Sequence, residues 1–386
     1  MKAKTQLQTQ HHPRAILGQI HEYISGNGFF FTKQEIGNFF LSLKTKPFVI
    51  LAGISGTGKT QLPRQFAAAI GAKANCCLIP VRPDWTDNTD LIGYTDLRGN
   101  FRTQALTRQV IKAHQHPDEI FFVILDEMNL ARVEYYLSDF LSIMETREKV
   151  GDTVITDPLI STELLGEHPD PDLMNLTIPD NLYLIGTVNM DETTHPFSRK
   201  VLDRANSIEM NQVHLDWTIS QEPVEPLSGV YNDFLRANFV QPKDVSEAEK
   251  EKVKNTLALL MKINEILKMA DLQFGYRTRD EFAFYMLNRM EIRELVSENE
   301  ATDFQIMQKI LPRIHGSSRR VGEVILDLLK LFTEGKMNWE DEVYASEIIE
   351  RIGNPRKRNF VYPRSIEKLM LMYRRFEEDG FTSFWI

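Results

Sequence analysis

The sequence predicts an α/β fold in which a parallel sheet is covered by helices, followed by an all-helical region. The first observation is a set of strongly apolar runs, "PFVILAG", "EIFFVILDEMN" and "NLYLIGTVNMDE", typical of strands buried on both faces. The second is that helical patterns alternate with these runs, as in parallel sheets. The third is a change near residue 247, after which the apolar spacing is nearly all helical.

The elements follow in order along the chain. Two amphipathic helices broken at Gly26–Gly28 precede the first strand, and a helix that starts at Lys59 and ends at Gly71 follows it. After these we predict a strand in "NCCLIPV", a helix in "TRQVIKAHQ", a strand ending in "DE", one helix over "LARVEYYLSDFLSIMETRE", an insertion over roughly 150–178, a strand in "NLYLIGTVNMDE", a short helix in "FSRKVLDRA" and a strand in "NSIEM". We expect this insertion either to face the central pore of an assembly or to be a peripheral loop.

These patterns divide the chain into four segments. We predict a tail and helical lead-in over 1–45, a large α/β domain over 46–215, a Pro-rich acidic linker over 216–246 and a helical domain over 247–386.

Composition limits the class of protein. The chain has 386 residues, 42% of them hydrophobic and 26% charged, as in ordinary globular proteins. Its formal net charge of −9 does not indicate a nucleic-acid binder, so any DNA contact would need a local basic patch or a partner subunit. The adjacent Cys76 and Cys77 suit neither a bridge nor a metal site. The sequence has no apolar run like that of a signal peptide and none long enough to span a membrane, so we expect a cytoplasmic protein.

A glycine-rich loop follows the first strand. Gly53, Gly58, Lys59 and Thr60 match G-x-x-x-x-G-K-[ST] in the strand–loop–helix context that this phosphate-binding motif requires. Glycines let backbone N–H groups approach phosphate oxygens, and the helix that follows adds the positive end of its dipole. We therefore expect the loop, including Ser55, Gly56 and Thr57, to bind the phosphates of a nucleotide.

Acids stand at the end of a later strand. Asp126 and Glu127 follow "FFVIL", at the carboxyl edge where open α/β sheets bind ligands. Thr60 and Asp126 are expected to hold Mg²⁺, and Glu127 to polarise an attacking water.

Three further strand-end or helix-end residues are candidates. Asn189 ends the next apolar strand, where an amide can position that water or contact the γ-phosphate. Arg199 and Arg204 flank the short helix after it, and a guanidinium fork suits a γ-phosphate. Arg364 stands in the first turn of a late helix, where a cation opposes the helix dipole unless it faces an anion. Each arginine is also compatible with a solvated surface position.

In combination these features resemble the McrB branch of AAA+ NTPases, the motor subunits of modification-dependent restriction systems. The resemblance covers about residues 20–386 and is carried by the motifs already quoted, by "DEMNLARVEYYLSDFLSIMETRE", "GTVNMDETTHPFSRKVLDRAN", "FGYRTRDE" and "DGFTSFW".

The resemblance implies specific roles. It makes Asp126 and Glu127 the Walker B acids, followed by Asn129, with Asn189 as sensor 1 and Arg204 as an arginine finger. Arg364 resembles the sensor-2 arginine of related AAA+ proteins. It further implies rings, usually hexamers, whose sites are completed by the neighbouring subunit, GTP as substrate, and an McrC-like nuclease partner through which DNA is engaged.

Two departures from that family limit these expectations. Where the restriction motors have the signature M-N-T-A-D-R, this chain has "VNMDETTH". We therefore keep two expected substrates: GTP, which the resemblance slightly favours, and ATP. About 45 N-terminal residues are too few for a domain that reads modified DNA, so target recognition is expected in another chain.

Two other functions stay open. A MoxR-like ATPase that remodels a protein substrate would share every residue of the nucleotide site. A scaffold that senses nucleotide without hydrolysis is disfavoured by the intact Lys59, Asp126 and Glu127. No nuclease constellation is evident in the sequence, so DNA cleavage would belong to a partner.

Overall fold

The computed structural model describes residues 12–166, 170–190, 195–213, 215, 224–334, 336–337, 339 and 345–385. The chain forms two compact units, Met1–Asp244 and Val245–Ile386.

The first unit alternates strands and helices along most of its length. In chain order it contains α1 (Pro13–Gly26), α2 (Lys33–Thr45), β1 (Phe48–Gly53), α3 (Gln61–Ala69), β2 (Cys76–Pro80), β3 (Gly93–Thr95), β4 (Phe101–Thr103), α4 (Ala105–Gln115), β5 (Phe121–Asp126), α5 (Val133–Tyr136), α6 (Ser138–Met144), β6 (Glu148–Val150), β7 (Thr153–Ile155), β8 (Leu182–Asn189), α7 (Arg199–Leu202) and β9 (Asn206–Glu209).

A five-stranded parallel sheet organises this unit. Its strand order is β2-β5-β8-β1-β9. Every residue of β1 is buried, as expected for a central strand covered on both faces. The register pairs Gly53 with Asn189, so the start of the glycine-rich loop and the end of β8 lie at the same edge of the sheet. The predicted fold class is confirmed.

Two local predictions were wrong in detail, and one feature was missed. The helix after β1 begins at Gln61 and not at Lys59, since the preceding residues form the loop. The single helix expected after β5 is two short helices, α5 and α6, which meet at Leu137. Two antiparallel hairpins, β3–β4 and β6–β7, were not predicted because their strands have three residues each.

The predicted linker contains residues that are packed in the first unit. The ring centroids of Phe234 and Phe40 lie 4.8 Å apart, and the Phe234 carbonyl accepts a hydrogen bond from Lys44 Nζ at 3.3 Å. Arg236 Nε donates to Asp180 Oδ2 at 3.0 Å. These contacts give residues 232–236 a fixed position that their polar, Pro-rich surroundings do not indicate.

The second unit is almost entirely helical. It contains α8 (Glu247–Lys252), α9 (Lys254–Lys268), α10 (Tyr276–Asn288), α11 (Glu298–Gln305), β10 (His315–Gly316), α12 (Arg319–Phe332), α13 (Ala345–Ile352), α14 (Pro363–Asp379) and β11 (Thr382–Ser383), with a π-helical turn at Ile306–Ile310 and a small antiparallel β10–β11 ladder. Across the described ranges, no helix of either unit is long and apolar enough to cross a membrane.

Candidate nucleotide-binding site

A cleft of about 530 Å³ lies at the carboxyl edge of the sheet in the first unit. Its lining comes from the glycine-rich loop, the ends of β5 and β8, and two flanking segments. The residues are Gly28, Phe29, Phe30, Phe31, Ser55, Gly56, Thr57, Gly58, Lys59, Thr60, Gln61, Asp126, Glu127, Thr187, Asn189, Gln212 and Val213. The structure therefore brings the predicted loop, both acids and Asn189 to one open space.

The loop needs its glycines for backbone geometry and close approach. Gly56 and Gly58 have φ angles of 84° and 87°, which side chains disfavour. A Cβ atom on Gly58 would lie 3.0 Å from Cζ of Phe31, and one on Gly53 would lie 2.7 Å from Oδ1 of Asn211. The loop thus turns tightly between two packed neighbours.

Lys59 is held by the loop that it follows. Its Nζ donates to the carbonyls of Gly53 at 3.0 Å and Ile54 at 2.6 Å. Burial lowers the pKa of Lys59, while Asp126 and Glu127 act in the opposite direction. The ammonium group is therefore a desolvated cation beside the cleft, a suitable partner for phosphate charge.

Oxygen atoms converge on Asp126. The hydroxyls of Thr60 and Thr187 donate to Asp126 Oδ1 at 2.8 Å and 2.7 Å. Carboxylate and hydroxyl oxygens are the donors that Mg²⁺ prefers, and Mg²⁺ binds near phosphates through few protein ligands. The chemistry of Thr60 and Asp126 thus fits the predicted magnesium site.

Glu127 has an unusual backbone conformation. Its φ of 52° and ψ of 49° lie in the left-handed region, which is uncommon and unfavourable for a side-chain-bearing residue. The Glu127 N–H donates to Thr187 Oγ1 at 3.0 Å, and its carboxylate accepts from Asn189 Nδ2 at 2.9 Å. These two contacts with β8 hold the acid at the edge of the cleft.

Asn129 contacts Asn189, the partner of Glu127. It is buried, and its Nδ2 donates to the carbonyl of Asn189 at 3.1 Å. The Asn129 carbonyl accepts the N–H of His195 at 2.9 Å. Asn129 therefore connects the β5 end, the β8 end and the segment that begins at His195. Residues 191–194, which precede His195, belong to the divergent "VNMDETTH" stretch and lie outside the described residues.

The predicted arginines are not part of the cleft lining. Arg199 is exposed in the short α7. Arg204 is partly buried, and within the described ranges its Nε has no hydrogen-bond partner. Arg364 belongs to the second unit, where its guanidinium lies 4.5 Å from the ring centroid of Phe304 and its N–H donates to Asp303 at 2.9 Å. The roles of these arginines stay predictions.

Sequence reasoning missed several cleft residues. Thr187 lies two positions before Asn189 in β8, so both side chains are on one face, and a threonine near the carboxyl end of an apolar strand was a usable signal. Gly28–Phe31 and Gln212–Val213 gave no such signal, because they reach the cleft only through the tertiary fold.

Comparison with known proteins agrees with this geometry. Residues 48–205 match the family model "AAA domain (dynein-related subfamily)", and residues 223–381 match "Domain of unknown function (DUF8727)". No curated protein matches the chain in sequence.

Two solved structures are similar to this chain at low sequence identity. One is a candidate ATPase from Cytophaga hutchinsonii, with 15% identity and a TM-score of 0.46, covering 81% of this chain and 91% of that chain. The other is a full-length MCM homolog from Methanopyrus kandleri, with 10% identity and a TM-score of 0.44, covering 78% of this chain and 60% of that chain.

The sheet order and the phosphate-binding loop define a P-loop nucleotide-binding domain. Residues 48–205 of the first unit match an AAA domain of the dynein-related kind, and the parallel five-stranded sheet flanked by helices is consistent with an AAA+ fold.

Proposed function

We propose that this protein is a Mg²⁺-dependent NTPase that hydrolyses GTP or ATP in the cleft of the first unit. The observation that carries the proposal is the convergence of Lys59, Thr60, Asp126, Glu127 and Asn189 on one open space. Convergent polar groups in a concave site are typical of catalytic centres.

Each residue has a distinct role in the proposed reaction. The backbone of the loop binds the phosphates, and Lys59 neutralises their charge at close range. Glu127 accepts a proton from water as the water attacks the γ-phosphorus, and Asn189 keeps the carboxylate in place. The bond from the γ-phosphorus to the oxygen that bridges it to the β-phosphate breaks, so that the nucleoside diphosphate leaves and inorganic phosphate is formed. Thr60 and Asp126 would hold Mg²⁺, which supplies charge stabilisation to the transferring phosphoryl group when bound.

We propose that the site is completed in a ring of six subunits, as the McrB-like resemblance implies. Arg204 of one subunit would reach the γ-phosphate held by its neighbour. Its Nε is buried and has no hydrogen-bond partner among the described residues, which supports this role because such a group is stabilised by a new acceptor.

The biological role that we propose is that of an McrB-like motor in a prokaryotic DNA restriction or antiviral defence complex. An McrC-like nuclease subunit would cut, and DNA would be engaged through the complex. The motifs quoted from the sequence support this proposal.

A MoxR-like ATPase that remodels a protein substrate is the second candidate. The match of residues 48–205 to the dynein-related AAA model is compatible with this candidate, since that model does not distinguish a restriction motor from a remodelling ATPase. Isolation of the native complex separates the two: a nuclease partner supports the first, and a metal-inserting or von Willebrand-type partner supports the second.

The direct test of the proposed activity is phosphate release from ATP and GTP side by side, with and without Mg²⁺ and DNA. We expect turnover of at least one nucleotide, dependent on Mg²⁺ and absent in Lys59→Ala. Turnover that persists in Lys59→Ala would contradict the assignment of this cleft.

A further inference from the structure

The cleft has two distinguishable ends. In the sheet order, β5 and β8 lie on one side of β1, and β9 lies on the other. Asp126, Glu127 and Asn189 come from the ends of β5 and β8, whereas Gln212 and Val213 follow β9. A triphosphate whose γ end is at Glu127 and whose chain lies along the loop must therefore extend its nucleoside away from the catalytic acids.

The segment after β9 is fixed to the start of the glycine-rich loop. The N–H of Met210 donates to the Ala52 carbonyl at 2.7 Å, and Asn211 Oδ1 accepts the N–H of Ile54 at 3.0 Å. Asn211 Nδ2 in turn donates to Glu209 Oε1 at 2.8 Å. Because Asn211 is anchored from both ends of its amide, the next residue, Gln212, has a defined place at the cleft wall.

The groups at this end suit a purine base. Gln212 is exposed, and its side-chain amide makes no hydrogen bond within the described part of the chain. Val213 is 52% exposed and Phe30 is 61% exposed, and all three residues line the cleft. Apolar and aromatic surfaces bind the faces of a base, and an amide binds its edge.

We propose that Gln212 reads the edge of the purine base, while Phe30 and Val213 contact its faces. This inference rests on the proposed NTPase function and adds the residue that sets the choice between ATP and GTP. An amide carries both a donor and an acceptor, so by rotating about its last bond it can pair with adenine or guanine. A carboxylate only accepts, and therefore favours the N–H donors of guanine over the acceptor N1 of adenine.

The test compares binding of ATP, GTP and inorganic tripolyphosphate by calorimetry to the wild-type chain and three variants. In Gln212→Glu we expect the ratio of the ATP to the GTP dissociation constant to rise about tenfold. In Gln212→Ala we expect weaker binding of the preferred nucleotide and unchanged binding of tripolyphosphate, which has no base. Gln61→Glu is the matched control, because it places the same charge elsewhere in the cleft and should leave the ratio unchanged.

The outcomes separate this inference from the function on which it rests. An unchanged ratio in Gln212→Glu, or a loss of tripolyphosphate binding in Gln212→Ala equal to the loss for nucleotides, would overturn the role of Gln212 and leave the NTPase proposal standing. A wild-type chain that binds none of the three ligands would overturn both.

Discussion

The nucleotide cleft and the interior of the second unit use the same charged residue types in opposite ways. In the cleft, Lys59, Asp126 and Glu127 border an open space. In the second unit, Lys309 and Glu281 form an ion pair in which the side chains are only 1% and 9% exposed. The first arrangement leaves charge available to a ligand, and the second satisfies charge inside the fold.

Asp303 of the second unit makes the contrast clearer. Burial raises its pKa, and hydrogen bonds from Ser365 and Arg364 oppose the shift. The N–H groups of these two residues each donate to its carboxylate at 2.9 Å in the first turn of α14. A buried acid can thus be a helix cap, and burial alone does not identify a functional residue.

Arg204 neither lines the cleft nor belongs to the buried ion pair of the second unit. Its substitution should have the largest effect, which is on the rate of hydrolysis. Arg204→Ala should bind nucleotide yet lose roughly 10³–10⁵-fold in hydrolysis rate, the range seen for arginine fingers. Steady-state phosphate release measures this. If the finger acts in trans, mixing Arg204→Ala with Lys59→Ala subunits should restore part of the activity, because some interfaces then contain both an intact loop and a finger.

Mixtures that are shown to assemble together and still have no activity would contradict the trans arrangement. Arg199 would then become the candidate finger.

The buried pair of the second unit should affect stability instead. Glu281→Gln is expected to lower the free energy of unfolding by about 3–5 kcal/mol, because it removes the negative charge that pairs with the Lys309 ammonium in the interior. Urea unfolding followed by circular dichroism measures the change. The same substitution in the cleft, Glu127→Gln, is the matched control and should change stability by less than about 1 kcal/mol. Similar losses in both variants would remove the distinction between the two regions.

Thr187→Val should give the smallest effect. The substitution keeps the shape but removes the hydroxyl that contacts Asp126 and the N–H of Glu127. We expect the turnover number to fall about tenfold, since leaving one such group unpaired costs on the order of 1–3 kcal/mol. A turnover number within twofold of the wild type would show that Thr187 does not position the acids.

Much of the fold was predictable from the sequence, because buried parallel strands and amphipathic helices have distinct apolar patterns. Gly53, Lys59 and Asp126 were predictable because their motif has a fixed spacing. The left-handed conformation of Glu127 and its hydrogen bond to Asn189 were not, since they depend on the register of β5 and β8. The position of Gln212 at the cleft wall also depends on tertiary contacts and was not predictable from the sequence.

The central claim is that Glu127 is the catalytic base of this cleft, and Glu127→Gln tests it most directly. The amide keeps the shape of the carboxylate but cannot accept the proton from water. Calorimetry and phosphate release on the same preparation should show nucleotide binding near that of the wild type and hydrolysis reduced by about 10²-fold or more. Hydrolysis close to the wild-type rate in a variant that binds nucleotide normally would contradict the claim.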